Sequence, residues 1–163
     1  MPDYPMTTAV RELRQKKIDF IPHEYEYEEK GGTAQTARIL KVPESSVIKT
    51  IVLMDDAGEI FITLMRGDQN VSTKEMARII GAKKVEPCDP ATATRATGYQ
   101  FGGTSPFGTR KRMKVYCEES ALEGEKIYIN GGKQGFILEM KTEDLEKALD
   151  LNIVNVGIAK HNA

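Results

Sequence analysis

The run at residues 47–54, VIKTIVLM, constrains the fold of this chain more than any other segment. Successive side chains of a strand point to opposite faces of a sheet, and both faces of this run are mainly apolar. A strand of this kind is typical of the centre of a sheet that is covered on both sides. A turn signal (DDAG) follows at 55–58 and residues 60–65 are apolar again, so the sequence predicts a β-hairpin.

Lys49 is the one charged residue within this apolar run. An ammonium group in such a place costs free energy unless it meets an anion or reaches water. Two interpretations therefore stay open. Lys49 either contributes to a functional site, or packs its aliphatic stem against the sheet and extends its ammonium group to solvent.

The segment 98–108, GYQFGGTSPFG, is too rich in glycine to form a regular helix or strand. Glycine is used where the backbone adopts positive φ or approaches another group closely. The aromatic residues Tyr99, Phe101 and Phe107 argue against a disordered linker, which would be poor in such residues. We therefore expect an ordered loop whose backbone N–H groups can bind an anion or a developing oxyanion.

Two further clusters have an ordinary structural interpretation. The basic run Arg110-Lys111-Arg112 is typical of a solvated surface, although its position after the glycine-rich loop also suggests phosphate contacts. The cluster 130–135, NGGKQG, is typical of a hairpin turn, with Gly131-Gly132 joining strands at 126–130 and 135–140.

Capping signals predict helices at about 7–17, 33–40, 72–80, 89–98 and 142–149. Thr33 and Thr142 are the predicted N-caps of the second and last helices, and the second is expected to place Ala34, Ala37 and Leu40 on one face. Extended chain is predicted at 18–27, and further strands at 114–117 and 153–156. Interleaved helices and hairpins predict a single α+β domain over 1–163, with helices flanking a mixed, largely antiparallel sheet.

Composition sets limits on the class of protein. The chain has 163 residues, a length that fits one domain, and its net charge of -1 neither requires nor excludes a nucleic-acid partner. Cys88 and Cys117 form no CxxC pair, which favours a reducing compartment. No signal segment or bilayer-spanning apolar run is present. We expect a soluble, cytoplasmic protein without a membrane partner.

Several segments together resemble the YbaK/EbsC family, which is related to the editing (insertion) domain of bacterial prolyl-tRNA synthetases. They are HEY at 23–25, VIKT at 47–50, GAKKV at 81–85, the glycine-rich loop at 98–108, and YINGGKQG at 128–135. The resemblance spans nearly the whole chain and is strongest to the free-standing Cys-tRNA(Pro) deacylases. It implies a barrel-like sheet of the editing-domain type. It also implies a trans-editing hydrolase that cleaves a wrong amino acid from the 3′ end of a tRNA.

The resemblance also implies roles for particular residues. Lys49, Gly102 and Gly103 would be catalytic, and Arg110, Lys111 and Arg112 would contact tRNA phosphates. The implied substrate-binding residues are Tyr25, Thr33, Tyr99, Ser105, Asn130 and Gly131. No cofactor or metal is expected.

Two departures from the closest members of the family bear on amino-acid specificity. Asn130 stands where serine is familiar before the glycine pair, and Gly32-Thr33 stands where a bulky aromatic residue is expected. Cys-tRNA(Pro) is the expected substrate, and prolyl-tRNA synthetase is a candidate partner. Hydrolysis by a positioned water and lyase-type attack by the thiol of a cysteinyl substrate both stay open.

Two alternative functions also stay open. The chain could be a non-catalytic module that binds an aminoacyl or nucleotide ligand in the same pocket. It could instead be an interaction domain without a pocket, in which case Lys49 would be solvent-exposed and distant from Gly102.

Overall fold

A computed structural model describes residues 3–160 of the chain. Within this range there are five α-helices: α1 Thr8–Gln15, α2 Gly32–Leu40, α3 Thr73–Ile80, α4 Pro90–Thr97 and α5 Thr142–Ala148. The strands are β1 Ile21–Glu24, β2 Val47–Asp55, β3 Ile60–Arg66, β4 Gln69–Val71, β5 Val85–Pro87, β6 Val115–Glu118, β7 Lys126–Lys133, β8 Phe136–Lys141, β9 Leu151–Val154 and β10 Gly157–Ala159. The predicted bounds 1–163 of the domain extend beyond the described residues and stay a prediction.

Local capping chemistry determines where several helices begin and end. The side chains of Thr7, Ser72 and Asp89 each accept a hydrogen bond from the backbone N–H three residues later, so these residues are the N-caps of α1, α3 and α4. Gly81 and Gly98 follow α3 and α4 with φ of 75° and 83°. This left-handed conformation ends a helix and favours glycine.

The main sheet is mixed, as predicted. Its strands run in the order β1-β8-β7-β2-β3-β6-β9, and β5 pairs with β2 beside this path. The pairs β2–β7, β3–β6 and β6–β9 are parallel, and the remaining pairs are antiparallel. Among the described residues the sheet does not close into a barrel, because β1 and β9 stay at its two ends. A separate small sheet joins β4 to β10.

Strand β2 lies at the centre of the sheet with apolar packing on both faces, which confirms the expectation from its sequence. Ile48 belongs to one buried cluster with side chains from α1 and α5. Leu53 belongs to a second cluster that includes Met76 of α3. The neighbouring strand β3 divides its side chains in the same way, so the β2–β3 hairpin separates two cores.

One edge of β2 changes its partner along its length. At its beginning β2 pairs with β7, and the register ends at Ile48 opposite Ile129. At its end β2 pairs with β5, and that register begins at Leu53 opposite Pro87. Residues 49–52 therefore lie along a gap between two neighbouring strands. The other edge of β2 stays paired with β3 throughout this stretch.

The residues predicted on the apolar face of α2 are not its most buried ones. Ala34 is exposed, Ala37 and Leu40 are half-buried, and the buried residues of this helix are Gln35 and Thr36. Polar contacts explain this arrangement, because Gln35 Nε2 donates to the carbonyl oxygen of Glu26 at 3.0 Å and Thr36 pairs with Tyr25. Hydrogen bonds to the segment after β1 therefore dock this helix.

The predicted turn at Gly131-Gly132 is wrong. Strand β7 continues through both glycines as far as Lys133, with an irregular register after Asn130, and the turn follows at residues 134–135. Asn130 Oδ1 accepts hydrogen bonds from the N–H groups of Gly132 and Lys133 at 2.7 and 3.2 Å. These bonds satisfy the backbone at a bulge within the strand.

Three further assignments differ in detail from the sequence predictions. Thr33 and Thr142 lie inside their helices instead of capping them, and the Thr142 hydroxyl donates to the carbonyl oxygen of Gly124. The predicted strand at 153–156 ends at Val154, and the short strands β4, β5 and β10 were not predicted. Between residues 3 and 160, no helix is both long and apolar enough to cross a bilayer.

Glu118 explains the break before β10. This side chain is only 2% exposed, and its Oε1 accepts hydrogen bonds from the N–H groups of Val156 and Gly157 at 2.7 and 2.8 Å. Its Oε2 accepts from Ser120 N at 3.0 Å. Burial acts to raise the pKa of Glu118, but hydrogen bonds from Ser120, Val156 and Gly157 outweigh burial and lower it.

We predict that Glu118→Gln lowers the free energy of unfolding by about 2–3 kcal/mol at neutral pH, because an amide replaces a charge-assisted acceptor. A lowered folded-state pKa stabilises the fold above the ordinary value of 4.5 and loses that contribution as the pH falls. The difference between wild type and variant should therefore shrink below pH 4.5 in urea titrations. The exposed neighbour offers a control, Glu119→Gln, and an equal loss in both variants would contradict the assignment.

Candidate active site

A cavity of about 350 Å³ lies beside the unpaired stretch along one edge of β2. Its volume is in the range of small-ligand pockets. Five residues that the sequence predicted as site residues line it: Tyr25, Thr33, Lys49, Gly102 and Asn130. They come from β2, α2, β7, the glycine-rich loop and the segment after β1. Lys49 and Gly102 therefore share one cavity, which argues against an interaction domain without a pocket.

Lys49 lines this cavity, and its ammonium group is partly desolvated. Its side chain is half-buried, and Nζ donates to Asn70 Oδ1 at 3.4 Å. Burial lowers the pKa of Lys49 and the nearby charge of Lys160 lowers it further, while Glu44 and Asp68 act in the opposite direction. The ammonium group thus lies where an anionic or carbonyl oxygen would relieve the cost of burial.

We predict that the pKa of Lys49 can be measured directly by NMR of ¹³C-labelled lysine. The methylene signal beside its ammonium group should titrate below the ordinary value of 10.5, and Lys49→Met should identify the signal by removing it. Lys160→Met should move the pKa upward, because it removes a repelling charge. A Lys49 signal that titrates at or above 10.5 would contradict this environment.

Gly102 contributes backbone to the cavity wall. Its φ is 84°, and a Cβ atom at this position would come within 2.5 Å of the Tyr27 hydroxyl oxygen. The carbonyl oxygen of Gly102 accepts from Asn130 Nδ2 at 3.3 Å. Within residues 3–160, the Gly102 N–H donates no hydrogen bond, so it is available to a ligand oxygen.

Gly103 occupies a different environment from Gly102. It is buried, and its N–H donates to the carbonyl oxygen of Gln100 at 2.9 Å. A Cβ atom here would come within 2.7 Å of the backbone nitrogen of Gln134. These contacts indicate that Gly103 lets the loop pack against the β7–β8 hairpin, and its catalytic role stays a prediction.

Hydroxyl groups line the part of the cavity near α2. Tyr25 Oη and Thr36 Oγ1 form a hydrogen bond of 2.7 Å, and burial raises the pKa of Tyr25. Thr33 Oγ1 donates to Glu44 Oε2 at 2.8 Å. These protein partners hold the hydroxyl groups in position, which gives this end of the cavity a defined shape.

Three predicted substrate-binding residues do not line the Lys49 cavity. Tyr99 is buried, with its hydroxyl bonded to the carbonyl oxygen of Phe107, and its ring borders a smaller neighbouring hollow. Ser105 is buried and accepts a hydrogen bond from Phe107 N at 3.3 Å. Gly131 packs against Phe136, whose ring would lie 2.7 Å from a Cβ atom there. All three residues support the loop and hairpin that form the wall.

The basic run also lies apart from the cavity lining. Arg110, Lys111 and Arg112 are exposed. Lys111 and Arg112 border a separate surface hollow that also includes Asp150. Their contact with tRNA phosphates stays a prediction.

Thr50 is a cavity residue that the sequence did not suggest. Its Oγ1 is buried and has no hydrogen-bond partner among residues 3–160, although the residue lines both the Lys49 cavity and the hollow beside it. The sequence signal that could have identified Thr50 was a hydroxyl group directly after Lys49, the only charged residue of the apolar run 47–54. An unpartnered buried hydroxyl group of this kind is a candidate contact for a polar ligand.

The described lining of the cavity offers no carboxylate, imidazole or thiol group as a general base. Among the described residues that line it there is no histidine, cysteine, aspartate or glutamate. Cys117 is buried outside the cavity, and burial raises the pKa of its thiol to about 12. Cys88 borders only the neighbouring hollow. Among the described residues, the groups that this lining offers to a ligand include the Lys49 side chain and the Gly102 backbone.

Similarity to known proteins extends over most of the chain. A protein of Enterococcus faecalis with the provisional name Cys-tRNA(Pro)/Cys-tRNA(Cys) deacylase EbsC is 29% identical over 138 residues, which is 84% of each chain. A proline–tRNA ligase of Geotalea daltonii is 26% identical over 132 residues, which cover 81% of this chain but 20% of the ligase.

Solved structures share the fold at lower sequence identity. The crystal structure of the hypothetical protein APE2540 has a TM-score of 0.85 and 21% identity, and the match covers 93% of this chain and 100% of the other. A protein described provisionally as a trans-editing enzyme for prolyl-tRNA synthetase has a TM-score of 0.82 and 15% identity, with 96% and 100% covered.

The chain has an α+β fold that it shares with these solved structures. The family model described as "Aminoacyl-tRNA editing domain" matches residues 28–148. The chain therefore belongs to the aminoacyl-tRNA editing domain family, and the resemblance inferred from its sequence is confirmed.

Proposed function

We propose that this protein is a trans-editing deacylase that hydrolyses the ester of a mischarged aminoacyl-tRNA, with Cys-tRNA(Pro) as its substrate. The observation that carries the proposal is the convergence of Lys49 and Gly102 on one cavity. Family membership and the name of the Enterococcus faecalis relative support the reaction class. The amino acid is supported by that relative's name and by the resemblance.

The cavity suits ester cleavage without a catalytic triad. An aminoacyl ester is already activated, so orientation together with one or two oxyanion donors can supply much of the acceleration. The Gly102 N–H would donate to the carbonyl oxygen as negative charge develops there. Lys49 would contact the terminal phosphate or the aminoacyl group and hold the ester against the loop.

Two nucleophiles are compatible with a cavity whose described lining has no carboxylate, imidazole or thiol group. A bound water can add to the carbonyl carbon, after which the ribose oxygen leaves with a proton. In a cysteinyl substrate, the thiol sulfur can instead bond to the same carbon, and the ribose oxygen again departs with the proton. The second route makes the reaction depend on the substrate's own side chain.

We predict that Lys49→Met lowers kcat/KM for deacylation of Cys-tRNA(Pro) by about 10²–10³-fold, the range seen when one transition-state donor is removed. The matched control is Lys74→Met, on the exposed face of α3, which should keep wild-type activity. Release of labelled cysteine from the mischarged tRNA measures both variants. Full activity of Lys49→Met would rule out the assigned role of this residue.

The effect of Gly102→Ala on activity can be distinguished from the effect of backbone strain by comparison with Gly58→Ala. Both glycines have φ of 84°, but a Cβ atom at Gly58 has no neighbour within 4 Å and lies in the β2–β3 turn. Each substitution should cost roughly 1–2 kcal/mol of stability. Only Gly102→Ala should also reduce deacylation, by tenfold or more, because it displaces the loop from Tyr27. Equal activities of the two variants would remove Gly102 from the site.

The two routes differ in whether the substrate's amino acid must carry a thiol group. If the cysteinyl thiol attacks, wild-type protein should deacylate Cys-tRNA(Pro) at least tenfold faster than Ala-tRNA(Pro) under identical conditions. Comparable rates on the two substrates would instead support a positioned water and a broader specificity.

The absence of a general base from the described cavity lining also favours a second candidate function. The same pocket could hold an aminoacyl or nucleotide ligand without cleaving it. Saturable binding of an aminoacyl-adenosine analogue, together with no turnover of any mischarged tRNA, would favour this non-catalytic module.

A further inference from the structure

Phe101 is the most exposed of the large apolar side chains among residues 3–160, with 73% of its surface accessible. A single exposed apolar residue is ordinary on a protein surface. The exposure of Phe101 alone therefore identifies no function, and an interpretation has to rest on where the ring lies. Phe101 directly precedes Gly102, whose backbone forms part of the Lys49 cavity wall.

The Phe101 ring stands where three recesses meet. It lines the Lys49 cavity, the smaller hollow that contains Thr50 and Cys88, and a broad depression lined by Tyr27 and Lys30. A molecule bound in any of these recesses would therefore lie beside Phe101. Lys30 lines both the cavity and the broad depression, so a positive charge accompanies the ring at the cavity mouth.

The backbone beneath the ring is held from the opposite hairpin. The Phe101 carbonyl oxygen accepts from Gln134 Nε2 at 2.8 Å, and the next carbonyl oxygen, of Gly102, accepts from Asn130 Nδ2 at 3.3 Å. Both donors belong to the β7–β8 hairpin or its turn. These two contacts fix the backbone directly after the Cα atom that presents the ring, which lowers the entropic cost of binding a ligand there.

We propose that Phe101 is a stacking platform for the nucleobase that adjoins the ester of an aminoacyl-tRNA. The inference rests on the proposed function, because it assumes that the ester carbonyl lies against Gly102. Only the ribose then separates the ester from its base, which places an unpaired base over the cavity mouth. Exposed aromatic rings stack unpaired bases of any sequence, and Lys30 would favour the adjacent phosphate.

Fluorescence of a single-stranded RNA ending in 2-aminopurine tests the platform independently of catalysis. Stacking on Phe101 should quench the terminal base as wild-type protein is added. Phe101→Ala should raise the dissociation constant of the RNA roughly 5- to 100-fold and abolish the quenching. Phe101→Trp should keep both the wild-type affinity and the quenching. The control is Ile153→Ala, which truncates another exposed apolar side chain on β9. Absence of quenching with wild type, or unchanged quenching with Phe101→Ala, would overturn the proposal.

Kinetics separate this inference from the proposed function. Phe101→Ala should raise KM for mischarged tRNA by the same factor with little change in kcat, while Phe101→Trp should keep the wild-type KM. A wild-type KM in Phe101→Ala, or a loss confined to kcat, would overturn the platform. If wild type cleaves no mischarged tRNA, the proposed function fails, and the fluorescence result still decides the role of Phe101.

Discussion

The partner exchange along one edge of β2 is the constraint on which the candidate site depends. Strand β7 leaves this edge after Ile48, and β5 joins it at Leu53. Both cores hold β2 in place through Ile48 and Leu53, so the gap between the two neighbours cannot close without disrupting one of them. Lys49 lies in this gap because the strand that carries it is required at the centre of the sheet.

The second wall of the cavity depends on two side-chain amides. Asn130 satisfies the β7 bulge with its oxygen and holds the Gly102 carbonyl with its nitrogen, while Gln134 holds the carbonyl of Phe101. The late hairpin and the glycine-rich loop therefore form one mechanical unit. Asn130 occupies the position where serine is familiar in the resemblance, and its longer side chain can make both contacts at once.

Local signals in the sequence were sufficient for part of this structure. A charge in an apolar strand indicated Lys49, and glycine density indicated the Gly102 loop. Capping signals indicated where helices such as α3 begin, because the hydrogen bonds of a cap span only three residues. The burial of Tyr99 and Ser105 in the core could not be predicted from the sequence, because packing decides whether a loop residue faces a cavity or the core. The buried polar face of α2 depends on partners before the helix, which periodicity does not reveal.

Thr50 gives the open edge of β2 a further consequence. Backbone N–H and C=O groups of alternate strand residues point to the same edge of the strand. On the open edge of β2, Ile48 pairs with β7, and the Val52 carbonyl oxygen accepts from Cys88 N at 3.0 Å. The backbone groups of Thr50 lie between them, beyond the described pairing of β2 with β7 and before its pairing with β5. A short extended amide compound that supplies one donor and one acceptor at this place would complete the sheet as a missing strand does. Inhibitors could therefore be designed on peptide geometry, although the substrate class proposed for this cavity is a nucleotide ester.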